Sequence, residues 1–262
     1  MPGAGGPDPF SVDGHNIVIV GGTAGIGLAV AAHLRGAGAG VIITGRRDAD
    51  AVAADIGASF VRMDVADSES VKRGFAEIAS SMPHVDCLVL NAGIDQYHGE
   101  IDDLVLSVFA RIIDVNTRGV ARALGAGTGL ESTGGSIVVT SSPAGSITTP
   151  GMGAYSASKA ALDMLVRTWA LELGPKQIRV NAVLPGIVES EMAAESTAEL
   201  EVIRRMTANG VYRKAAEMGP VFQFLASAAS TPLTGSLVGA HDGISIGYSA
   251  EVMQHLPADL EG

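Results

Sequence analysis

Six short, mainly apolar runs recur along this chain, at residues 16–20, 41–44, 59–63, 87–90, 136–140 and 179–184, continuous rather than alternating in their apolar character. Alternation marks a strand with one wet face, whereas an unbroken run marks a strand covered on both faces. Between the runs lie stretches of helical periodicity, the clearest at 26–35, 68–81 and 155–173. Strand and helix taking turns over a whole chain predict right-handed βαβ units. The expected fold is therefore α/β, a doubly wound parallel sheet of about seven strands with helices on both faces.

Length and composition agree with one core. The chain has 262 residues, 47% of them hydrophobic, and no linker divides it, so residues 1–262 are expected to form a single domain with 1–12 as a flexible tail. No apolar stretch reaches membrane-spanning length, and the start has neither the basic residues nor the apolar run of a secretion signal. A net charge of −11 argues against nucleic acid or an anionic membrane as partner. The one cysteine, Cys87, lies in an apolar run and cannot form an internal disulfide, which suits a reducing cytoplasm.

Two segments break the rhythm. Residues 188–214 follow a strand end and carry Glu189, Glu191, Glu195, Glu199 and Glu201 before Arg204 and Arg205. They read equally as a solvated helical hairpin or as a mobile substrate lid. Residues 124–135 hold five glycines, at 125, 127, 129, 134 and 135, which predicts a frayed helix end or loop.

The chemistry starts at the first strand's end, where Gly21-Gly22-Thr23-Ala24-Gly25-Ile26-Gly27 leads into a helix. Glycines at 21, 25 and 27 allow a tight turn, close approach to a pyrophosphate, and free helix N–H groups facing its charge, the arrangement of a Rossmann-type nucleotide fold. Thr44-Gly45-Arg46-Arg47 closes the second strand. An acidic residue there would suit NAD; two guanidiniums instead suit the 2′-phosphate of NADP.

Tyr155 and Lys159 are four residues apart on one predicted helix, so both reach one small ligand. A phenol titrates near ~10, too high for a base at neutral pH. A neighbouring ammonium and an oxidised nicotinamide are expected to lower that value. Ser142, 13 residues before Tyr155, lies just past a buried strand, and Asn91-Ala92-Gly93 follows another. Asn116 falls in a helical pattern, where an amide either bonds its own backbone or serves a site.

These motifs together resemble the short-chain dehydrogenase/reductase family, in its compact single-domain form, across nearly the whole chain. The family's glycine loop matches Val20 to Gly27, with valine where threonine is usual, and so assigns cofactor contacts to Gly21, Thr23, Gly25, Ile26 and Gly27. Its Asn-Ala-Gly motif matches Asn91, Ala92 and Gly93, and its adenine-holding pair matches Asp64 and Val65. Its Pro-Gly motif matches Pro185 and Gly186, with Val188 and Ser190 placed for the nicotinamide carboxamide. Thr234-Gly235 and Asp242-Gly243 resemble its last strand and turn. The catalytic Asn, Ser, Tyr and Lys fall on Asn116, Ser142, Tyr155 and Lys159. Ala24 stands where many NADP-users carry a second basic residue, which leaves more of the phosphate to Arg46.

The resemblance implies hydride transfer between NADP(H) and a carbonyl or secondary alcohol, with Tyr155 as acid–base and no metal. NAD(H) is the possible alternative cofactor. In this picture Ser142 bonds the substrate oxygen, Lys159 holds the nicotinamide ribose, and Asn116 positions a water. Ile94, Gln96, Tyr97, Pro143, Met152, Met192 and Tyr212 neighbour the motifs and are mostly apolar, suggesting a small neutral substrate, hydrophobic or cyclic. The helix at 155–173 is apolar on more than one face, which either a partner or, in a monomer, the lid and neighbouring helices would cover; the resemblance implies a homodimer or homotetramer. Two other readings stand: an NAD-linked alcohol dehydrogenase of the same fold, and a cofactor sensor without catalysis.

Overall fold

The computed structural model describes residues 8–96, 99–129, 131–189 and 197–254. In chain order the first half gives β1 (Asn16–Val20), α1 (Gly25–Gly36), β2 (Gly40–Gly45), α2 (Asp50–Asp55), β3 (Ser59–Arg62), α3 (Ser68–Ser81) and β4 (Val85–Leu90). Next come α4 (Leu106–Ile113), α5 (Val120–Gly127), β5 (Glu131–Thr140), α6 (Gly153–Leu173) and β6 (Arg179–Pro185). The last part holds β7 (Val188–Glu189), α7 (Thr197–Met206), β8 (Arg213–Lys214), α8 (Gly219–Ala226), β9 (Leu237–Ala240) and α9 (Ala250–Gln254).

Seven strands make one sheet in the order β3-β2-β1-β4-β5-β6-β9, and every pairing in it is parallel. The continuous apolar runs follow from this layering. Val18, Val20, Leu88 and Leu90 turn to one face, against Phe75 and Ile78 of α3, Val120 of α5 and Leu162 and Val166 of α6. Their neighbours Ile17, Ile19, Cys87 and Val89 turn to the other, against Val30 and Leu34 of α1 and Phe222 and Leu225 of α8. Each residue of these strands thus meets apolar atoms, whichever way it points.

The chain runs outward from β1 to β3, then returns to lay β4 on β1's other side. That reversal opens a crevice at the carboxyl ends of β1 and β4, the place where open sheets of this kind bind ligands.

The glycine-rich stretch 124–135 holds the helix end expected there, but a strand takes up its second half. Helix α5 runs to Gly127, and β5 starts at Glu131, five residues before the apolar run. Gly134 takes φ +95°, and the β4–β5 register shifts between Val85 and Cys87, so glycine here lets the strand extend past an irregularity. In segment 188–214, β7 pairs with β8 and draws the two ends together, with α7 between them. Asp242 anchors the second end: its carboxylate takes two bonds from Arg213, at 3.0 and 2.8 Å, and one from Asn209 at 2.6 Å. Among the described residues, no helix is long and apolar enough to cross a membrane.

Candidate active site

The loop after β1 is shaped by what it must pack against. Gly21 has φ +83°, and a Cβ there would lie 2.6 Å from the Ala92 Cα. A Cβ on Gly27 would lie 2.2 Å from the Gly21 carbonyl oxygen. Both contacts are with backbone, so only glycine fits. At Gly25 the φ is +54°, yet nothing lies within 4 Å of where its Cβ would be. The loop is therefore tight against the protein at 21 and 27 and open to a ligand at 25. Asn91 closes this cradle, donating to the Gly21 carbonyl at 2.8 Å and accepting from Thr140 at 3.0 Å.

A cleft of about 240 Å³ runs along this loop, lined by Gly21, Thr23, Gly25, Arg46, Arg47, Asp64, Val65, Asn91, Ala92, Gly93 and Ile94. Eleven residues from four separate motifs thus share one groove. The Thr44 hydroxyl on its wall is buried without a hydrogen-bond partner among the described residues, a polar group of the kind a ligand satisfies. Ile26 differs from its neighbours: its side chain packs on the apolar cluster beneath α1. Only its backbone N–H, in the unsatisfied first turn of a helix, remains for an anion. Val65 also packs inward, against Gly119, and its carbonyl accepts from Arg122.

Arg46 and Arg47 are exposed on the rim and make no ion pair among the described residues. Sequence reasoning missed a third guanidinium. Arg62, at the end of β3, pairs in register with Gly45 and donates its Nε to the Arg46 carbonyl at 3.0 Å. Only the strand register could have pointed to it.

The second cluster sits at the carboxyl ends of β4 and β5. Lys159 is 4% exposed and donates its Nζ to the Thr140 carbonyl at 2.9 Å. Its Nζ lies 5.6 Å from the centre of the Tyr155 ring, as expected one helical turn away. Ser142 hydrogen-bonds the Tyr155 side chain, and Ala144 N–H donates to the Ser142 Oγ at 3.1 Å. A Cβ on Gly93 would lie 3.5 Å from Asn116 Oδ1 and 3.7 Å from Lys159 Nζ, so Gly93, on the wall of the cleft, also borders this cluster.

Asn116 is fully buried, in a six-residue π-helical turn, Asp114–Gly119, that joins α4 to α5. Such a turn widens the helix and re-aims its side chains. Asn116 bonds across to another segment, not to its own helix: Oδ1 accepts from Ile94 N–H at 2.7 Å. Its Nδ2 donates to the Ile94 carbonyl at 2.8 Å and to Ser158 Oγ at 3.1 Å.

Electrostatics at the pair differ from the expectation in one respect. Burial pushes the Tyr155 phenol above its usual value; the Ser142 bond pulls it down, and the Asp95 carboxylate pushes it up again. Lys159 is not among the groups that move the phenol; burial lowers its own pKa to about 8, with Asp163 and Asp95 holding it up. Without cofactor the phenol therefore keeps its proton at neutral pH, the form that an acid needs. Asp95 is the second residue that sequence reasoning missed. It lies between Ile94 and Gln96, and a carboxylate did not suit a pocket read as neutral.

Pro185 ends β6 opposite Ala240, and Gly186 N–H donates to the Ala240 carbonyl at 3.0 Å. Val188 is 9% exposed at the start of β7. Ser190, Tyr97 and Met192 lie outside the described residues.

Comparison with known proteins agrees with this geometry. The sequence model of a family described as enoyl-(acyl carrier protein) reductase matches residues 21–245. Short-chain dehydrogenase reductase 5 of Arabidopsis thaliana is 34% identical, covering 90% of this chain and 96% of its own. NADPH-dependent aldehyde reductase 2, chloroplastic, of the same plant is 30% identical, with coverages of 90% and 95%. The crystal structure of a short-chain type dehydrogenase/reductase from Mycobacterium marinum superimposes with a TM-score of 0.83 at 32% identity, over 92% of this chain and 99% of that one. The chain belongs to the short-chain dehydrogenase/reductase family and is an oxidoreductase.

Proposed function

We propose that this oxidoreductase transfers a hydride between NADP(H) and a carbonyl or secondary alcohol, with Tyr155 as general acid and base. One observation carries the reading: Gly93 lines the cleft along the glycine loop, and a Cβ on it would lie 3.5 Å from Asn116 Oδ1 and 3.7 Å from the Nζ of Lys159, whose helix also bears Tyr155. Chance would not put a cofactor groove and an acid–base pair side by side at one switch point.

The bound nicotinamide supplies the hydride chemistry. The residues to hold such a cofactor are the glycine loop, Asp64, Val65 and Asn91 to Gly93 for its nucleotide end, and Lys159, Pro185, Gly186, Val188 and Ser190 for its nicotinamide end. Tyr155 gives its proton to the carbonyl oxygen in reduction and takes it back in oxidation. Ser142 donates to the same oxygen as charge gathers on it, where a fixed donor helps most. Lys159 holds a ribose hydroxyl and returns the proton to Tyr155. Asn116 has both Nδ2 protons committed, so a water joining Lys159 to solvent is left the second lone pair of Oδ1.

NADP is favoured over NAD because the β2 end offers Arg46 and Arg47 and no carboxylate, with Arg62 alongside. The similar plant protein is named as NADPH-dependent. The substrate is a small neutral carbonyl or alcohol, hydrophobic or cyclic; the lid reading of 188–214, of which 190–196 lie outside the described residues, is supported by the β7–β8 ribbon and the Arg213–Asp242 pair that hold its ends. A second copy is proposed to cover the outer face of α6, where Met164 and Leu171 are 59% and 81% exposed. A cytoplasmic location suits the lone buried cysteine.

A panel of aldehydes, ketones and secondary alcohols, followed through NADPH and NADH absorbance, tests the reading. Turnover with NADPH on at least one carbonyl class supports it. Tight cofactor binding with no turnover across the panel would favour the sensor instead.

A further inference from the structure

Asp163 lies on α6 one turn beyond Lys159, and its side chain takes no part in the chemistry proposed above. It is 5% exposed, among Leu162 and Val166 of the same helix, which belong to the apolar core. Burying a carboxylate is costly unless it is bonded, so what Asp163 bonds to is informative. Its Oδ1 accepts from Ser141 Oγ at 2.6 Å, a short, charge-assisted bond. Beside Oδ2, a Cβ on Gly145 would lie 2.6 Å away, and 3.1 Å from Ala160 N. The turn 143–145 therefore rides directly on α6 at Ala160 and Asp163, and glycine is what lets it settle there.

This contact joins two chain segments that have separate tasks. Residues 140–145 bring Ser142, which directly follows Ser141; α6 brings Tyr155 and Lys159. The Lys159–Thr140 bond ties the same segments one residue earlier, but that bond belongs to a residue occupied with the cofactor. Ser141 also keeps its backbone in the sheet, donating N–H to the Val183 carbonyl at 2.8 Å. Its hydroxyl is thus fixed relative to the strand, and Asp163 fixes the helix relative to that hydroxyl. Burial raises the Asp163 carboxyl above its ordinary range, while the Ser141 bond and the cations of Arg167 and Lys159 hold it down.

We propose that Asp163 is a positioning residue for the reaction: through Ser141 and the glycine contact at 145 it sets the spacing between Ser142 and Tyr155. The proposal rests on the reading that Ser142 and Tyr155 act together on the substrate oxygen. A misplacement of about 1 Å in such a pair costs roughly 100-fold in rate.

The test uses the full chain with NADPH and its best carbonyl substrate. Asp163→Ala and Ser141→Ala should each lower kcat at least ~10-fold while NADPH affinity, read by cofactor fluorescence, changes less than twofold. The double variant should be no slower than the slower single one, because both remove one bond. Asp163→Asn keeps an acceptor for Ser141 and should restore kcat to within threefold of the unsubstituted protein. Should Asp163→Ala fail to fold, Ser141→Ala, the loss of one hydroxyl, carries the test alone. Turnover within twofold in both single variants would overturn the proposal, as would a parallel loss of NADPH affinity. An Asn variant as slow as the Ala variant would overturn it too, since charge and not the bond would then matter. Tyr155→Phe with normal turnover would instead defeat the underlying reading, whatever the Asp163 variants do.

Discussion

Lys159→Met should leave the fold about as stable as before at pH 7, although Lys159 is buried and bonded. Burial takes its pKa from 10.5 to about 8. At ~1.4 kcal/mol per pKa unit, carrying the ammonium costs the native state about 3 kcal/mol. The sign follows from proton counting. Between about 8 and 10.5 the unfolded chain holds a proton that the native chain has released, so native stability rises with pH there. The penalty is fully present below pH 8 and gone above 10.5. Methionine removes it, and strands the Thr140 carbonyl now served by Nζ, at about 1–3 kcal/mol. The two nearly offset, so the Tm should stay within about 4 °C. If Lys159 and Asp163 instead formed a tight buried ion pair, deleting one partner would cost about 3–5 kcal/mol. Chemical denaturation of both proteins from pH 7 to pH 10 separates these cases. The account requires the unsubstituted protein to gain on the variant as pH rises. A loss of 3 kcal/mol or more at pH 7, or a difference that ignores pH, would refute the reasoning.

Two further outcomes are expected. Arg46→Asp should reverse cofactor preference in titrations with NADPH and NADH: a charge-assisted contact to the 2′-phosphate is worth about 1.5–3 kcal/mol, and an exposed one lies at the low end. Equal affinity for both cofactors before substitution would defeat that assignment. Light scattering should give at least twice the 26.6 kDa chain mass, and Leu171→Lys should lower it; a monomer at micromolar concentration would leave the exposed α6 face without its proposed cover.

The sheet was legible because its strands are covered on both faces, so most inner residues are apolar, with a few bonded polar exceptions such as Asn181 and Ser136. The last strand showed only through the family resemblance of the motifs on either side of it, Thr234-Gly235 and Asp242-Gly243, and not as an apolar run. Leu237–Ala240 is short and only half-buried, and Gly239 must leave room for the His241 ring, 2.6 Å from where its Cβ would be. Helix α4 escaped for another reason. The π-turn at Asp114–Gly119 slips the helical phase, so no single periodicity runs from Leu106 to Gly127. That turn also explains why Asn116 looked misplaced: it was read as lying along a regular helix, and it reaches across to Ile94 instead. Motif residues of the cleft were readable one by one, since Gly21 and Gly27 answer to backbone contacts that tolerate nothing larger. Arg62, Asp95 and Asp163 were not, because register, a neighbouring cation and a partner on another segment are tertiary facts. The raised Tyr155 pKa belongs with them: its first cause is burial, which no spacing reveals.

The central claim is that the Tyr155 hydroxyl moves the proton, and its removal is the most direct test. Phenylalanine keeps the ring that packs beside Lys159 and deletes only the oxygen that Ser142 bonds. Turnover of Tyr155→Phe with NADPH and a competent ketone should fall by at least ~100-fold, the low end for general acid–base catalysis, with cofactor affinity unchanged within twofold. Near-normal turnover with the cofactor bound as before would contradict the account.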